Sequence, residues 1–219
     1  MLIAAISDIH SPRYLNEFFI ALKSLPQTIS LVLLAGDLTD EGKVLHFDPI
    51  YNALKNFKVI ATFGNEDYYE IREQYKKKYP DIIWLDDSKV TIDVDNKKLM
   101  IVGSDGVLEM PTKWQALHGY DKTFYENKKK KIEEMLCSEN GVIKILLTHY
   151  APTYDTLYGE RERAYPQLGY RLLNELKCLP NIAIHGHAHY SKKTYSVVKG
   201  VRVYNVALPA NKKFTIIEL

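Results

Sequence analysis

The stretch Leu2-Ile-Ala-Ala-Ile-Ser-Asp-Ile-His10 sets the pattern that organises the whole chain. Leu2 to Ile6 is an apolar run of strand length, and the polar side chains of Asp8 and His10 follow it directly. The same succession recurs downstream. Leu31 to Ala35 leads into Gly36-Asp37, and Lys58 to Phe63 into Gly64-Asn65-Glu66-Asp67. Lys144 to Leu147 leads into Thr148-His149, and Ile182 to Ile184 into His185-Gly186-His187-Ala188-His189. Continuous apolar runs suit strands covered on both faces, and Leu99 to Val102 is another of them.

Between the first two runs, Leu15, Phe18, Phe19 and Leu22 recur at helical spacing within Tyr14 to Leu25. Asp48 to Lys55 repeats this on a smaller scale, with Pro49 suited to a first helical turn. The alternation predicts an α/β core. After Tyr79 the texture changes: Ile82 to Leu85 and Lys89 to Val94 read as strands around the Asp95-Asn96 turn. Lys193 to Val198, Val201 to Val206 and Phe214 to Glu218 are rich in β-branched or aromatic residues. Antiparallel strands are therefore expected to flank the parallel ones, with a helix over Tyr170 to Leu176.

In open α/β sheets the carboxyl ends of parallel strands share one edge, and ligands bind there. Five segments would thus deliver Asp8, His10, Asp37, Asn65, His149, His187 and His189 to one place. Carboxylate, imidazole and amide without thiolate form the ligand set of borderline to hard divalent metals. Seven candidates exceed the needs of one ion, whereas two ions sharing a carboxylate use that number. Taken singly, Asp8 and Asp37 would be turn or capping aspartates, but capping does not account for the paired histidines. Glycines beside Asp37, Asn65 and His187 suit a backbone that must approach a ligand closely.

The series Asp8-x-His10, Gly36-Asp37-x-x-Asp40, Gly64-Asn65-x-Asp67, His149 and Gly186-His187-x-His189 resembles the calcineurin-like metallophosphoesterase family, in the family's order. A chain of 219 residues is expected to form a single domain over residues 1–219; the resemblance implies two mixed β-sheets packed as a sandwich and flanked by α-helices. It implies one divalent ion held by Asp8, His10, Asp37 and His189, and a second by Asp37, Asn65, His149 and His187, with Asp37 bridging. Mn, Fe, Ni and Zn all suit such donors. Two cations about 3.5–4 Å apart activate a shared water for in-line attack on phosphorus. Asp37, Asn65, His149 and the residue after the asparagine would then carry catalysis on a small phosphorylated substrate. In most relatives that last residue is a histidine that contacts phosphate and assists the leaving oxygen; here it is Glu66. The change points to phosphodiesters or activated esters over simple alkyl monoesters. Asp67, which in many relatives orients that histidine, either supports Asn65 or is a plain loop carboxylate.

The remaining features delimit the reading. A formal charge of +2 and the absence of an extended basic track argue against nucleic acid as the partner, and a nuclease is the alternative enzyme. A catalytically weak scaffold is the other alternative, favoured only by Glu66. Met1 to Ile6 is too short for a signal peptide or membrane span. With only Cys137 and Cys178, no disulfide framework is implied, and a reducing, cytoplasmic setting is the simpler expectation. Lys76 to Lys78 and Lys128 to Lys131 read as solvated helix faces. His46, His118 and His185 match no motif position. Arg161 and Arg163, with four tyrosines between Tyr154 and Tyr170, read more simply as an exposed connection than as phosphate contacts. No oligomeric state follows from the sequence.

Overall fold

A computed structural model describes residues 1–219. Eleven strands form two sheets. They are β1 (Leu2–Ile6), β2 (Ile29–Ala35), β3 (Val59–Thr62), β4 (Ile83–Leu85), β5 (Ser88–Val94), β6 (Lys97–Ser104), β7 (Ile143–Thr148), β8 (Ile182–His185), β9 (Tyr195–Val198), β10 (Val201–Asn205) and β11 (Thr215–Glu218). The first sheet has the order β11-β1-β2-β3-β4, the second β5-β6-β7-β8-β10-β9. The interior pairings are parallel; β11, β5 and β9 pair antiparallel at the edges. β4 departs from the expected antiparallel flank by pairing parallel with β3. The reason is the helix Arg72–Lys78, which returns the chain across the sheet after β3.

Period-two alternation decides what each strand packs against. Ile3, Ala5, Leu31, Leu33 and Ile60 of the first sheet meet Leu99, Ile101, Ile145, Leu147 and Ile184 of the second in the central core. The alternate residues Ala4, Ile6, Val32, Leu34 and Ala61 face outward. They are covered by α1 (Leu15–Lys23), α2 (Asp48–Leu54) and α3 (Arg72–Lys78) through Phe18, Ile50, Leu54 and Tyr75. A short α4 (Lys113–Leu117) precedes α5 (Lys122–Cys137), which covers the outer face of the second sheet with Tyr125, Ile132 and Leu136. Four layers result, and strands buried on both faces explain the unbroken apolar runs. The expected helix over Tyr170 to Leu176 shrinks to one turn, Leu172–Glu175.

Two sequence expectations are corrected here. Cys137 and Cys178 form a disulfide, with Cα atoms 5.3 Å apart, joining the end of α5 to the segment before β8. A sequence separation of 41 residues carries no local sign of pairing; packing of α5 on the second sheet brings the two together. The argument for a reducing compartment loses its premise, and the structure adds only that no helix is long and apolar enough to cross a membrane. Lys128, in turn, is not solvated. Its ammonium is buried, donates to Asp105, and lies 2.9 Å from Asp87 Oδ2. Arg72 reaches the same Asp105 at 3.0 Å and Asp86 at 2.6 Å.

Removing one partner of a buried charge pair leaves the other charge without compensation. We expect Lys128→Ala to lower the unfolding free energy by about 3 kcal/mol or more in urea titration. The exposed Lys130→Ala, on the same lysine run, should stay within about 0.5 kcal/mol of the parent.

Candidate metal centre

All seven candidate ligands gather where the carboxyl ends of β1, β2, β3, β7 and β8 meet. The first sheet supplies Asp8, His10, Asp37 and Asn65; the second supplies His149, His187 and His189. Turning these side chains inward requires uncommon backbone. Asp8, His10, Asp37 and His187 have φ of 56°, 43°, 50° and 66°, so four of the ten non-glycine residues with positive φ are candidate ligands. Such conformations cost about 1–3 kcal/mol each and persist where the surroundings enforce them. The adjacent glycines are needed for space. A Cβ on Gly64 would stand 2.2 Å from Asp37 Oδ1, and one on Gly186 would stand 2.4 Å from Asp8 Oδ2.

The donors fall into two groups, Asp8 with His10 and His189, and Asp37 with His149 and His187. Asp37 lies between them, its Oδ2 3.6 Å from His10 Nε2 and 3.3 Å from His149 Nε2. Its other oxygen accepts the Glu66 backbone N–H at 2.8 Å, so one oxygen is left for both groups. Asn65 Oδ1 lies 3.0 Å from His149 Nε2 and thereby joins the second group.

Two observations show that these residues fit cations. Both ring nitrogens of His10 are buried without a hydrogen-bond partner; Nδ1 is 3.2 Å from Asp40 but not aligned for a bond. His149 Nδ1 lies 3.0 Å from the Ala35 carbonyl oxygen, which fixes its proton there. In the neutral ring Nε2 is then a lone pair, pointed at Asn65 Oδ1, Asp37 Oδ2 and His187 Nδ1, 3.1 Å away. Four acceptors aimed at one point need a positive charge among them.

The electrostatics agree. Burial disfavours charge on His149, yet Asp37 and Asp8 outweigh it and push the imidazole up to about 10. His187 is driven down to about 3 by burial and by His149. Burial opposes ionisation of Asp8 and Asp37 too, but the surrounding histidines hold both carboxyls below the usual range. A divalent ion would replace the proton that this constellation otherwise draws to His149.

Supporting contacts are well defined. Asp8 accepts from Ser7 Oγ and, at 3.0 Å, from the His187 backbone N–H, while His189 Nε2 lies 2.8 Å from its other oxygen. Asp67 Oδ2 accepts from Asp37 N–H and Gly64 N–H, both at 2.9 Å, tying two ligand loops together. Burial and the nearby Asp37 push its carboxyl up to about 7. Glu66 Oε2 accepts the Glu41 N–H at 3.1 Å. His185 is a satisfied core residue between Thr156 and the Gly186 carbonyl, and His118 stacks on Trp114; neither joins the centre. Arg161 and Arg163 are exposed and have no partner within the chain. The aromatic residues near the site come from elsewhere, Tyr68, Trp114 and Tyr150 among them.

The family model described as calcineurin-like phosphoesterase matches residues 1–191. The phosphopantetheinyl hydrolase of Mycobacterium tuberculosis superposes with a TM-score of 0.68 at 13% identity, over 96% of this chain and 90% of that one. A hypothetical protein from Thermus thermophilus gives 0.61 at 13%, over 94% and 75%. The NAD nucleotidase of Haemophilus influenzae gives 0.59 at 17%, over 100% and 55%. At these identities the likeness concerns the fold. Compared with curated protein sequences, the chain has no match.

A Cβ at Gly186 would displace Asp8. Gly186→Ala should therefore bind Mn(II) at least about tenfold more weakly, the scale of losing support to a ligand, as read by calorimetric titration of a variant whose circular dichroism is unchanged. Parent-like affinity would place Asp8 outside the metal shell.

Proposed function

This chain belongs to the calcineurin-like phosphoesterase family, and from that premise we propose that it hydrolyses a phosphodiester or small phosphorylated molecule with two divalent ions. The observation carrying this reading is the position of Asp37 Oδ2, within 3.6 Å of a nitrogen from each ligand group. Asp8, His10, Asp37 and His189 would hold one ion, and Asp37, Asn65, His149 and His187 the other. When bound, such a pair supplies an activated water and neutralises charge on the phosphoryl oxygens. Manganese, iron, nickel and zinc all accept these donors.

The protein's own part is positioning. The Ala35 carbonyl fixes the His149 tautomer, so that Nε2 faces the shared site. The Glu66 N–H holds the non-bridging oxygen of Asp37, and Asp67 locks the Asp37 and Gly64 backbones together. At the position after Asn65 the Glu66 carboxylate is turned to the Glu41 amide. It supplies no imidazole proton to a departing alkoxide, which favours esters whose alcohol leaves without one.

Two measurements test the proposal. Asp37→Asn should lower kcat/KM on a chromogenic diester by about a hundredfold or more, beyond the loss expected from a merely supporting residue; smaller loss in the metal-loaded variant would remove Asp37 from the bridge. With one aryl alcohol presented as monoester and as diester, the diester should be the better substrate. Glu66→His should then raise monoester turnover. A parent enzyme that prefers the monoester would contradict the assigned specificity.

A further inference from the structure

Beside the metal centre lies a cavity of about 550 Å³, within the range of small-molecule sites. Gly64, Asn65 and His187 form the wall it shares with the candidate ligands. Its other walls are aromatic. Tyr68 and Trp114 are 39% and 58% exposed, so ring surface remains open to a ligand. Tyr69 is already sandwiched, with the Arg72 guanidinium 3.6 Å from its centroid and Tyr120 stacked at 5.0 Å. Trp114 is held in place: it stacks on His118 at 4.1 Å. Its helix α4 starts in a capping box in which Thr112 and Gln115 exchange side-chain and backbone bonds. Gln167 also lines the cavity, and its side-chain amide makes no hydrogen bond within the protein.

Charge limits what can enter. Arg72 is the cavity's one cationic side chain, and Asp86 and Asp105 consume it. Glu66 and Glu70 line the cavity and make no ion pair, the Glu66 carboxylate being engaged only by the Glu41 backbone N–H. A second phosphate, a polyphosphate tail or a nucleic-acid strand running through this space would meet uncompensated negative charge. A planar group free of negative charge would meet aromatic faces and an unused amide.

Resting on the phosphoesterase reading above, we propose that this cavity is the substrate's second subsite, and that it takes an uncharged planar aromatic group, a nucleobase or an aryl ring, borne by the phosphoester. Stacking on one aromatic side chain is worth about 1–3 kcal/mol, so Trp114 should give a selectivity of about tenfold.

The test uses stable phosphonates and the metal-loaded full chain, with affinities from calorimetry. Phenylphosphonate should bind about tenfold more tightly than methylphosphonate. Trp114→Ala, at an exposed position, should reduce that ratio toward one, while Leu117→Ala on the exposed side of α4, 85% accessible, should keep it. Equal affinities in the parent, or a ratio unmoved by Trp114→Ala, would overturn the subsite while leaving the phosphoesterase reading intact. Quenching of tryptophan fluorescence by adenosine and by benzyl alcohol, which carry no phosphate, separates the two sources. The stronger Trp114-dependent ligand identifies base or aryl ring. Trp114-dependent binding of these alcohols without binding of either phosphonate would keep the subsite and sink the phosphoesterase reading.

Discussion

Two carboxylates, Asp8 and Asp37, sit almost wholly out of solvent where the two sheets meet, and the structure depends on keeping them charged there. An isolated carboxylate in such a place would be neutralised by a proton. These are instead surrounded by four imidazoles and held on their outer oxygens by backbone N–H groups. Much else follows from that arrangement. These side chains must leave their strands at once and turn back over the edge, hence the left-handed backbone at Asp8, His10, Asp37 and His187. Their neighbours must yield room, hence Gly64 and Gly186. Strain and packing are spent on one point of the molecule because the attraction of buried negative charge for a cation can sustain both.

The parallel strands, and the convergence of the seven candidate side chains on one edge, were legible in the sequence because both leave local traces. A strand buried on both faces must be apolar throughout, so Leu2 to Ile6 and Ile182 to Ile184 announce themselves. Side chains that follow such strands have one edge available, which makes Asp8 and His187 neighbours despite a sequence separation of 179. What was hidden depends on partners far along the chain. The parallel pairing of β4, the Cys137–Cys178 bond and the tautomer-setting carbonyl of Ala35 have no signature in their own segments. Positive φ at Asp8, His10, Asp37 and His187 is likewise imposed from outside.

Lys128 was legible in principle. It shares a helical face with Tyr125, Ile132 and Leu136, at spacings of three and four. Reading the lysines as a run concealed that one of them falls on the apolar side. The aromatic residues show the opposite error. The tyrosines between Tyr154 and Tyr170 follow His149 in sequence, yet the aromatic lining of the cavity beside the candidate ligands comes from Tyr68, Tyr69, Trp114, Tyr120, Tyr125 and Tyr150, and that segment contributes only Gln167. Proximity along the chain is a poor guide to proximity in a sheet whose neighbours are set by crossover connections.

The buried cation network and the ligand edge are physically continuous. Lys128 and Arg72 share Asp105. Arg72 Nε donates to the Asp67 carbonyl at 3.1 Å, and the Asp67 carboxylate accepts from the backbones of Asp37 and Gly64. Asp105 also accepts from the Tyr69 hydroxyl at 2.5 Å, and Tyr69 stands in the cavity wall between that network and the ligands. A helix on the outer face of the second sheet is thus joined, bond by bond, to the loop that carries Asp37 of the first. Apolar packing alone sets the spacing of two sheets but tolerates small slides between them. Directional bonds from fixed charges restrict such slides, and a cluster of candidate ligands drawn from both sheets keeps its geometry only under that restriction.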